Sequence, residues 1–291
     1  MTIEKFQKTI LDWWRDPRTR ASSVRGMLPW RNTRDPYKIL VSEIMLQQTQ
    51  VTRVIPKYEE FLQAFPTLQA LAQAPDKKLL KVWAGLGYWR RAKYLKEAAK
   101  IILTKYKGKF PKDPNTLETL PGIGPYTTRA VACFAFNASD PFLDTNIRRV
   151  YLHFFFKKKN NVSDKEILAI AREVTTNLCH GKKLKYPGIT PREWHYALFD
   201  YGATVLKDRA INKRSKHYHK QSKFEGSFRS FRTKAVRFLL ARPESKVAPK
   251  TLEDFLKKEL RKQKSPYTPQ EIIASLLKDN LIKKSKTHYI L

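Results

Sequence analysis

Cysteine is scarce in this chain, since only Cys133 and Cys179 occur among its 291 residues. Two cysteines cannot supply a four-cysteine zinc or iron–sulfur site within one chain, and they do not indicate a disulfide framework. Cys133 stands between Ala132 and Phe134, so we predict that it is a small buried core residue. The chain is therefore expected to fold around an apolar core without a cysteine-bound metal.

Long apolar runs and acidic residues are also in short supply. No stretch approaches the roughly 20 apolar residues that span a membrane, and the first residues lack a signal-peptide pattern, which predicts a cytoplasmic protein. The chain has 26 acidic residues and 58 lysines and arginines, which gives a net charge of +32. A charge of this size predicts a polyanionic partner, and nucleic acid fits it better than a membrane surface.

Strand-like alternation is missing from the first two-thirds of the chain, which predicts an all-helical region there. Residues 207–223 are rich in lysine and arginine without an apolar period, so their default interpretation is a solvated linker with affinity for phosphate. Three helices and a strand-like end follow. They fit a winged helix, a small helix–turn–helix variant, although a three-helix cap on the main domain is the alternative.

The stretch 120–127, Leu-Pro-Gly-Ile-Gly-Pro-Tyr-Thr, is followed some twenty residues later by Leu-Asp-Thr-Asn at 143–146. Gly122 and Gly124 allow a sharp reversal between two helices, and such a turn presents backbone N–H groups to one phosphate. Asp144 is predicted to begin the next helix. A corner without any ligand is equally compatible with the hairpin alone, but a phosphate site beside one acid suggests chemistry on a nucleic acid.

A second glycine turn, Gly-Leu-Gly-Tyr at 85–88, repeats the design of the first and also leads into a basic helix. Two such turns would contact a DNA backbone at two places. Tyr88 ends this turn and Trp89 follows it, and we expect at least one of the two side chains to be exposed. Both being core aromatics is the alternative.

Glu43 lies among apolar residues on a predicted helix, residues 37–47. Apolar surroundings raise the pKa of a carboxyl group, which then keeps its proton near neutrality and can serve as a general acid. The alternative places Glu43 on the solvated stripe of the helix, and periodicity alone slightly favours that alternative.

Five segments closely resemble MutY-type adenine DNA glycosylases of the helix-hairpin-helix base-excision superfamily. The resemblance implies an all-α, two-lobed helix-hairpin-helix DNA glycosylase fold with its active site between the lobes, followed by a small C-terminal winged-helix-like domain. The expected domains are residues 1–206 for the glycosylase, 207–224 for a basic linker and 225–291 for the winged-helix-like part, which binds DNA or a partner. The five segments are 28–31, 41–51, 85–88, 120–124 and 143–146.

The resemblance also implies the catalytic roles. Glu43 is expected to protonate a ring nitrogen of adenine, and Asp144, ionised at its helix start, to stabilise the oxocarbenium-like sugar or to attack it transiently. Tyr126 stands where bifunctional relatives carry a Schiff-base lysine, so the reaction is expected to stop at an abasic site. Asn146 belongs to the same motif as Asp144 and completes the expected catalytic set.

Base-pocket and DNA-contact residues follow from the same resemblance. Trp30 and Arg31 are expected to line the pocket for the flipped base. Tyr196 falls where the family has an acidic or amide residue that contacts the adenine amino group. Gln48 and Tyr88 are expected to wedge into the duplex. The full set of expected DNA contacts is Gln47, Gln48, Thr49, Leu86, Gly87, Tyr88, Gly122, Gly124 and Arg148.

Two family features have no counterpart in this sequence. The four cluster cysteines are missing after residue 206, where the basic stretch stands instead. The predicted winged helix is expected to stand in place of the Nudix-like C-terminal domain that reads oxidised guanine in the family. No iron–sulfur cluster or other cofactor is therefore expected, although the resemblance leaves room for a monovalent cation at the hairpin.

The expected function is monofunctional removal of adenine mispaired with 8-oxoguanine or guanine in double-stranded DNA. The resemblance implies a monomer that works at the nucleoid and not at a membrane. A mismatch thymine or uracil glycosylase is the first alternative, and Glu43 argues against it because such a glutamate protonates a purine. A catalytically silent DNA-binding protein is the second alternative, and the two carboxylates Glu43 and Asp144 argue against it.

Overall fold

The protein is seen in a computed structural model that describes residues 1–21, 28–179, 188–220 and 222–291. These residues are mostly helical, which confirms the predicted all-α class. In chain order the helices are α1 (Ile3–Arg15), α2 (Pro17–Ala21), α3 (Pro36–Leu46), α4 (Val51–Ala64), α5 (Leu68–Gln73), α6 (Asp76–Trp83), α7 (Arg90–Lys105), α8 (Pro114–Glu118), α9 (Pro125–Phe136), α10 (Thr145–Phe155), α11 (Asp164–Cys179), α12 (Pro191–Thr204), α13 (Phe228–Leu240), α14 (Pro249–Lys262) and α15 (Pro269–Lys278).

The chain forms two compact units, each assembled from separate stretches of sequence. The C-terminal residues 221–291 cluster with residues 44–110, so the units follow a different division from the predicted domains 1–206, 207–224 and 225–291. Those domain boundaries stay a prediction. Unit 1 contains Met1–Glu43, Pro111–Thr119 and Ile123–Lys220, and unit 2 contains Ile44–Phe110, Leu120–Gly122 and Gln221–Leu291.

Local capping chemistry sets several helix starts in unit 1. Asp144 is the N-cap of α10, and its side chain accepts a hydrogen bond from the amide of Ile147. Thr190 and Glu193 form a capping box at the start of α12. Such caps satisfy amide groups that have no partner inside the helix. The predicted placement of Asp144 at a helix start is confirmed.

The basic stretch after α12 is more ordered than a linker. Residues Arg209–Arg214 form a 3₁₀ helix within unit 1, and Asn212 is buried there. The main chain of Val162 makes two hydrogen bonds to this stretch. Its carbonyl accepts from the amide of Lys216, and its amide donates to the carbonyl of Arg214. The first part of this stretch is therefore held against the body of unit 1.

Unit 2 ends in a small antiparallel sheet with the strand order β1-β3-β2. Three helices and a terminal hairpin were predicted here, and the structure adds strand β1 between α13 and α14. No described helix in either unit is long and apolar enough to cross a membrane. The strands are β1 (Lys246–Val247), β2 (Lys283–Lys284) and β3 (Tyr289–Ile290).

Candidate active site

Glu43 is buried in unit 1, with 5% of its surface exposed. Helix α3 carries it among side chains that are themselves buried, including Leu40 and Val41. The alternative that placed Glu43 on a solvated stripe is therefore wrong. The hydroxyl of Tyr126 donates a hydrogen bond to Oε2 of Glu43 at 3.1 Å, which brings together two residues that the sequence placed 83 positions apart.

Burial raises the pKa of Glu43 to about 7, because a charged carboxylate loses its hydration inside the protein. The hydrogen bond from Tyr126 opposes this shift, the negative charge of Asp144 adds to it, and the positive charge of Arg31 opposes it. Near neutrality a large fraction of the molecules therefore carries the proton. This is the state that a general acid needs.

Asp144 caps α10 through a hydrogen bond of 2.6 Å from the amide of Ile147 to its Oδ1. Burial has the largest effect on this carboxyl and raises its pKa above the ordinary value, while the amides of Ile147 and Asn146 and the charges of Arg148 and Arg149 lower it. The expected effect of the helix start is present, but burial outweighs it in the net shift of the pKa, and the ionised state of Asp144 stays a prediction. The amides and arginines still favour the ionised form within a buried setting.

Arg31 makes a two-pronged ion pair with Asp200, with nitrogen–oxygen distances of 2.9 and 2.8 Å. Its guanidinium also lies over the ring of Tyr196, 4.4 Å from the ring centre. Trp30, next in sequence, is buried in the short 3₁₀ helix Pro29–Asn32. The structure thus brings the predicted pocket residues Arg31 and Tyr196 together. Asp200 was not predicted as a site residue, because nothing in the sequence links it to Arg31, which lies 169 positions away.

Tyr196 is stacked on Phe134, with ring centres 4.6 Å apart and an interplanar angle of 14°. Arg192, which sequence reasoning also missed, lies 5.4 Å from the Tyr196 ring centre. Its guanidinium donates to the carbonyls of Phe134, Arg31 and Thr33. Tyr196 is therefore fixed by packing and by two guanidinium groups. Burial raises the pKa of its hydroxyl to about 12, so it remains a hydrogen-bond donor.

An aromatic cluster continues from Tyr126. Its ring lies edge-on to Phe142 at 5.6 Å, and Phe142 stacks on His195 at 4.3 Å. Burial lowers the pKa of His195 to about 4, so this imidazole is neutral and serves as packing. Cys133 is fully buried near it, which confirms the predicted core role. The cluster gives Tyr126 an apolar surrounding.

Asn146 lies on α10 directly against Gly202 of α12. A Cβ on Gly202 would stand 2.4 Å from the carbonyl oxygen of Asn146, so no larger residue fits at position 202. Arg149 donates to the carbonyls of Gly202 and Leu206 and fixes the end of α12. Asn146 also lines a cavity of about 460 Å³ whose basic members are Arg149, Lys207 and Arg209.

Arg148 is committed to an intramolecular ion pair. Its Nε and Nη2 donate to the two carboxylate oxygens of Asp164, each at 2.8 Å. This ion pair was not predicted, and the expected contact of Arg148 with DNA stays a prediction. Its position near Asp144 still lowers the pKa of that carboxyl.

The remaining predicted DNA contacts lie in unit 2, apart from Gly124. Trp89 is buried and Tyr88 is half-buried, so the structure supports the expected exposure only in part and only for Tyr88. Leu86 is buried with 3% exposure, and its expected contact with DNA stays a prediction. The remaining members, Gln47, Gln48, Thr49, Gly87, Tyr88 and Gly122, line one cavity.

Arg91, which sequence reasoning did not single out, organises this part of unit 2. Its buried guanidinium donates to the carbonyls of Ile44, Met45 and Gln47, and to those of Leu86 and Gly87 in the glycine turn. Burial lowers its pKa to about 10, so it keeps its charge near neutrality. One arginine therefore ties the polar break at 47–50 to the turn at 85–88.

The two hairpin glycines differ in conformation. Gly122 has φ +73° and a Cβ there would stand 2.8 Å from Tyr94, whereas Gly124 has φ −97° and faces open space. The predicted need for a special backbone conformation thus applies to Gly122 alone. Gly124 is the N-cap of α9, where the absence of a side chain leaves room beside the helix start.

Alanine at each of these glycines gives a matched pair of variants. Gly122→Ala adds a clash at a strained φ, so we expect it to lose roughly 1–3 kcal/mol in the free energy of unfolding. Gly124→Ala meets open space at an ordinary φ, so its stability should remain that of the wild type. Urea unfolding followed by circular dichroism measures both, and equal stabilities would contradict the conformations assigned to the two glycines.

Metal-ligating side chains do not gather in the part of the chain that the structure describes, where no group of three or more His, Cys, Asp and Glu could hold a metal ion. The side chain of Cys179 lies outside the described residues. The predicted absence of a cofactor and the predicted cation at the hairpin both stay predictions.

Comparison with known proteins gives the family. Residues 41–177 match the model of the HhH-GPD superfamily base excision DNA repair proteins. This part of the chain belongs to that superfamily. The match contains Glu43, Tyr126 and Asp144, the three residues that the structure brings into one electrostatic network, and it ends within α11.

Relatives support the resemblance to adenine DNA glycosylases. The chain is 37% identical to the adenine DNA glycosylase of Buchnera aphidicola over 205 residues, covering 70% of this chain and 54% of the relative. It is 43% identical to that of Mycolicibacterium smegmatis over 202 residues, covering 69% of this chain and 63% of the relative. The chain thus spans less than two thirds of the length of either relative.

A solved structure described as a thermostable thymine-DNA glycosylase also resembles this chain. The TM-score is 0.58 at 29% identity, and the similarity covers 71% of this chain and 88% of that protein. The helix-hairpin-helix glycosylase fold predicted from the sequence is confirmed by this likeness together with the family match.

Proposed function

We infer that this protein is a monofunctional DNA glycosylase that removes adenine mispaired with 8-oxoguanine or guanine. The observation that carries the proposal is Glu43, a buried carboxyl whose pKa is about 7 and whose Oε2 accepts a hydrogen bond from Tyr126. A glutamate that is protonated in a large fraction of the molecules at neutral pH fits a leaving group that must be protonated, and adenine is such a group. The names of the relatives support the same base.

The proposed reaction divides the work between two carboxyl groups. Tyr126 occupies Oε2 of Glu43, which leaves Oε1 to donate a proton to a ring nitrogen of the flipped adenine. The N-glycosidic bond then breaks, and its electron pair leaves with the protonated base as neutral adenine. Asp144 stabilises the positive charge that develops on the sugar. Water adds to C1′ and loses a proton, which returns to the Glu43 carboxylate, and the product is an abasic site.

The pocket residues account for the positioning of the base. Tyr196 presents a neutral hydroxyl and a fixed ring beside Arg31, with Trp30 next in sequence. Stacking and hydrogen bonds to a flipped base are how such pockets recognise it. Tyr126 has a phenol and no amine, so it cannot form a Schiff base, which supports a reaction without strand cleavage.

DNA is the proposed partner, and the basic segment after α12 is proposed to contact it. Lys207 and Arg209 flank a cavity that also contains Asn146, two residues from Asp144. Their charges fit a phosphate of the strand that carries the flipped nucleotide. We propose that the protein acts as a monomer on nucleoid DNA without an iron–sulfur cluster.

Removal of thymine or uracil is the second candidate, and one observation favours it. The structure described as a thymine-DNA glycosylase is covered to 88% by this chain, whereas the adenine DNA glycosylases are covered to 54% and 63%. Glu43 weighs against this candidate, because a pyrimidine anion leaves without needing protonation of a purine ring.

A substrate panel separates the two candidates. Duplexes with adenine opposite 8-oxoguanine, adenine opposite guanine, thymine opposite guanine and uracil opposite guanine are incubated with the protein and then treated with alkali. We expect cleavage at adenine, and no cleavage before alkali because the reaction ends at an abasic site. Cleavage at thymine or uracil alone would refute the adenine proposal.

A further inference from the structure

An arginine-rich cavity of about 840 Å³ lies within unit 2, where α13 faces the glycine turn 85–88. We call it the arginine cavity. Asp279 is the single acidic residue among its described lining residues. The arginines that line it are Arg53, Arg90, Arg91, Arg229, Arg232 and Arg237.

Two of the six guanidinium groups pair with an acidic residue, and a third is buried among main-chain carbonyls. Arg90 and Arg232 both pair with Asp279 at the end of α15, and Arg91 is occupied by main-chain carbonyls. The other three, Arg53, Arg229 and Arg237, have no acidic partner in the described part of the chain. The cavity therefore carries an uncompensated positive charge, which concentrates anions near it.

Arg229 connects this charge to Tyr88. One guanidinium nitrogen donates to the Tyr88 hydroxyl, another donates to the carbonyl of Ser222 at 3.0 Å, and the group lies 5.4 Å from the Tyr88 ring centre. Arg91 lies 5.3 Å from the same ring centre. Tyr88 also has φ +46°, an uncommon value for a residue with a side chain. Its position is therefore imposed by its neighbours, among them a residue of α13.

Guanidinium groups beside a partly exposed aromatic ring form a combination that suits a nucleic-acid strand, because the cations attract phosphates and the ring stacks on a base. The residues around Tyr88 in this cavity include Gln48, Thr49 and Gly122, each expected from the sequence to contact DNA. The α13 arginines thus share one surface with the expected DNA contacts.

We propose that Arg229 and Arg237 of α13, together with Arg53 of α4, bind the phosphodiester backbone of a DNA strand at the arginine cavity. The C-terminal part of the chain then contacts DNA through its first helix, and Arg229 also positions Tyr88. Asp279, at the end of α15, is not part of this phosphate site, because it forms ion pairs with Arg90 and Arg232. This proposal rests on the proposed function, because it takes DNA as the partner.

The test compares Arg237→Ala and the double variant Arg229→Ala/Arg237→Ala with Arg261→Ala. Arg261 is a matched control, an exposed arginine on α14 that does not line the cavity. Binding to an undamaged duplex is measured by fluorescence anisotropy over a range of salt concentrations, and circular dichroism checks the fold of each variant. Arg237 is exposed, so its replacement should leave the fold intact.

We expect the slope of log affinity against log salt to shrink by about 1 for Arg237→Ala and by about 2 for the double variant, with no change for Arg261→Ala. Slopes equal to that of the control in both variants would overturn the proposal. An acidic peptide that binds with the same arginine dependence, while DNA binding does not depend on these arginines, would also overturn it.

The substrate panel and the salt slopes together distinguish failure of the proposed glycosylase reaction from failure of the proposed DNA contact. If the wild type releases no adenine in the substrate panel but the salt slopes change as expected, the arginine cavity stands and the proposed reaction does not. If adenine is released while the slopes stay equal, the reaction stands and α13 is not a DNA contact.

Discussion

Replacing Asp144 with asparagine is expected to abolish base release while leaving the fold and DNA binding in place. Asparagine keeps an oxygen that can accept from the amide of Ile147, and it caps helices as well as aspartate does, so α10 keeps its start. The negative charge is lost, however, and the sugar cation is no longer stabilised. The single-turnover rate should fall by at least about 10²- to 10³-fold, the scale for losing one group that stabilises charge in a transition state.

Asp113→Asn provides the matched control for this variant. Asp113 is the exposed N-cap of α8 and accepts from the amide of Thr116 at 2.8 Å. The same chemical change there should leave the rate unaltered. A wild-type rate in Asp144→Asn would remove this residue from the mechanism, and a loss of DNA affinity equal to the loss of rate would make its role one of binding.

Replacing Glu43 with glutamine is expected to have two effects of opposite sign. Glutamine cannot donate an acidic proton, so base release should slow by about 10²- to 10⁴-fold, the usual contribution of a general acid. The folded protein should meanwhile become more stable above neutral pH, because the variant no longer buries a carboxylate. Single-turnover assays measure the first effect, and urea unfolding at two pH values measures the second.

The direction of the stability change follows from the pKa. Burial raises the pKa of Glu43 from 4.5 to about 7, so the folded wild type holds this proton more tightly than the unfolded chain. Its stability therefore declines as pH rises through the window between these values, by about 3 kcal/mol in total. Glutamine does not titrate, so the advantage of the variant should grow by that amount between about pH 5 and pH 8.

Glu97→Gln serves as the control for stability, since Glu97 is an exposed residue of α7. Its effect on the free energy of unfolding should stay constant over the same pH window. If the advantage of Glu43→Gln were equally constant, Glu43 would not lie in the apolar environment assigned to it.

Features that depend on neighbouring residues were predictable from the sequence. Asp144 was placed at a helix start because capping is a property of a few consecutive residues. Conformation inside the hairpin was harder, since sequence alone did not tell which of Gly122 and Gly124 has a positive φ.

Burial and ion pairing depended on distant residues and were less predictable. Helix α3 is apolar on several sides, so periodicity favoured an exposed Glu43, and only packing against other elements shows it buried. Arg31 finds Asp200 from 169 positions away. Arg148 pairs with Asp164, a partner that the resemblance did not indicate. In each case the sequence identified the residue and the fold decided its partner.

The central claim is that Glu43 donates a proton to adenine, and the pH dependence of adenine release tests it most directly. The substrate is a duplex with adenine opposite 8-oxoguanine, and single-turnover rates are measured with the wild type and Glu43→Gln. We expect the wild-type rate to fall about tenfold per pH unit above about pH 7, as the acid form of Glu43 disappears, and the variant to be slow without this decline. A wild-type rate that stays constant to about pH 9, or a variant as fast as the wild type, would contradict the claim.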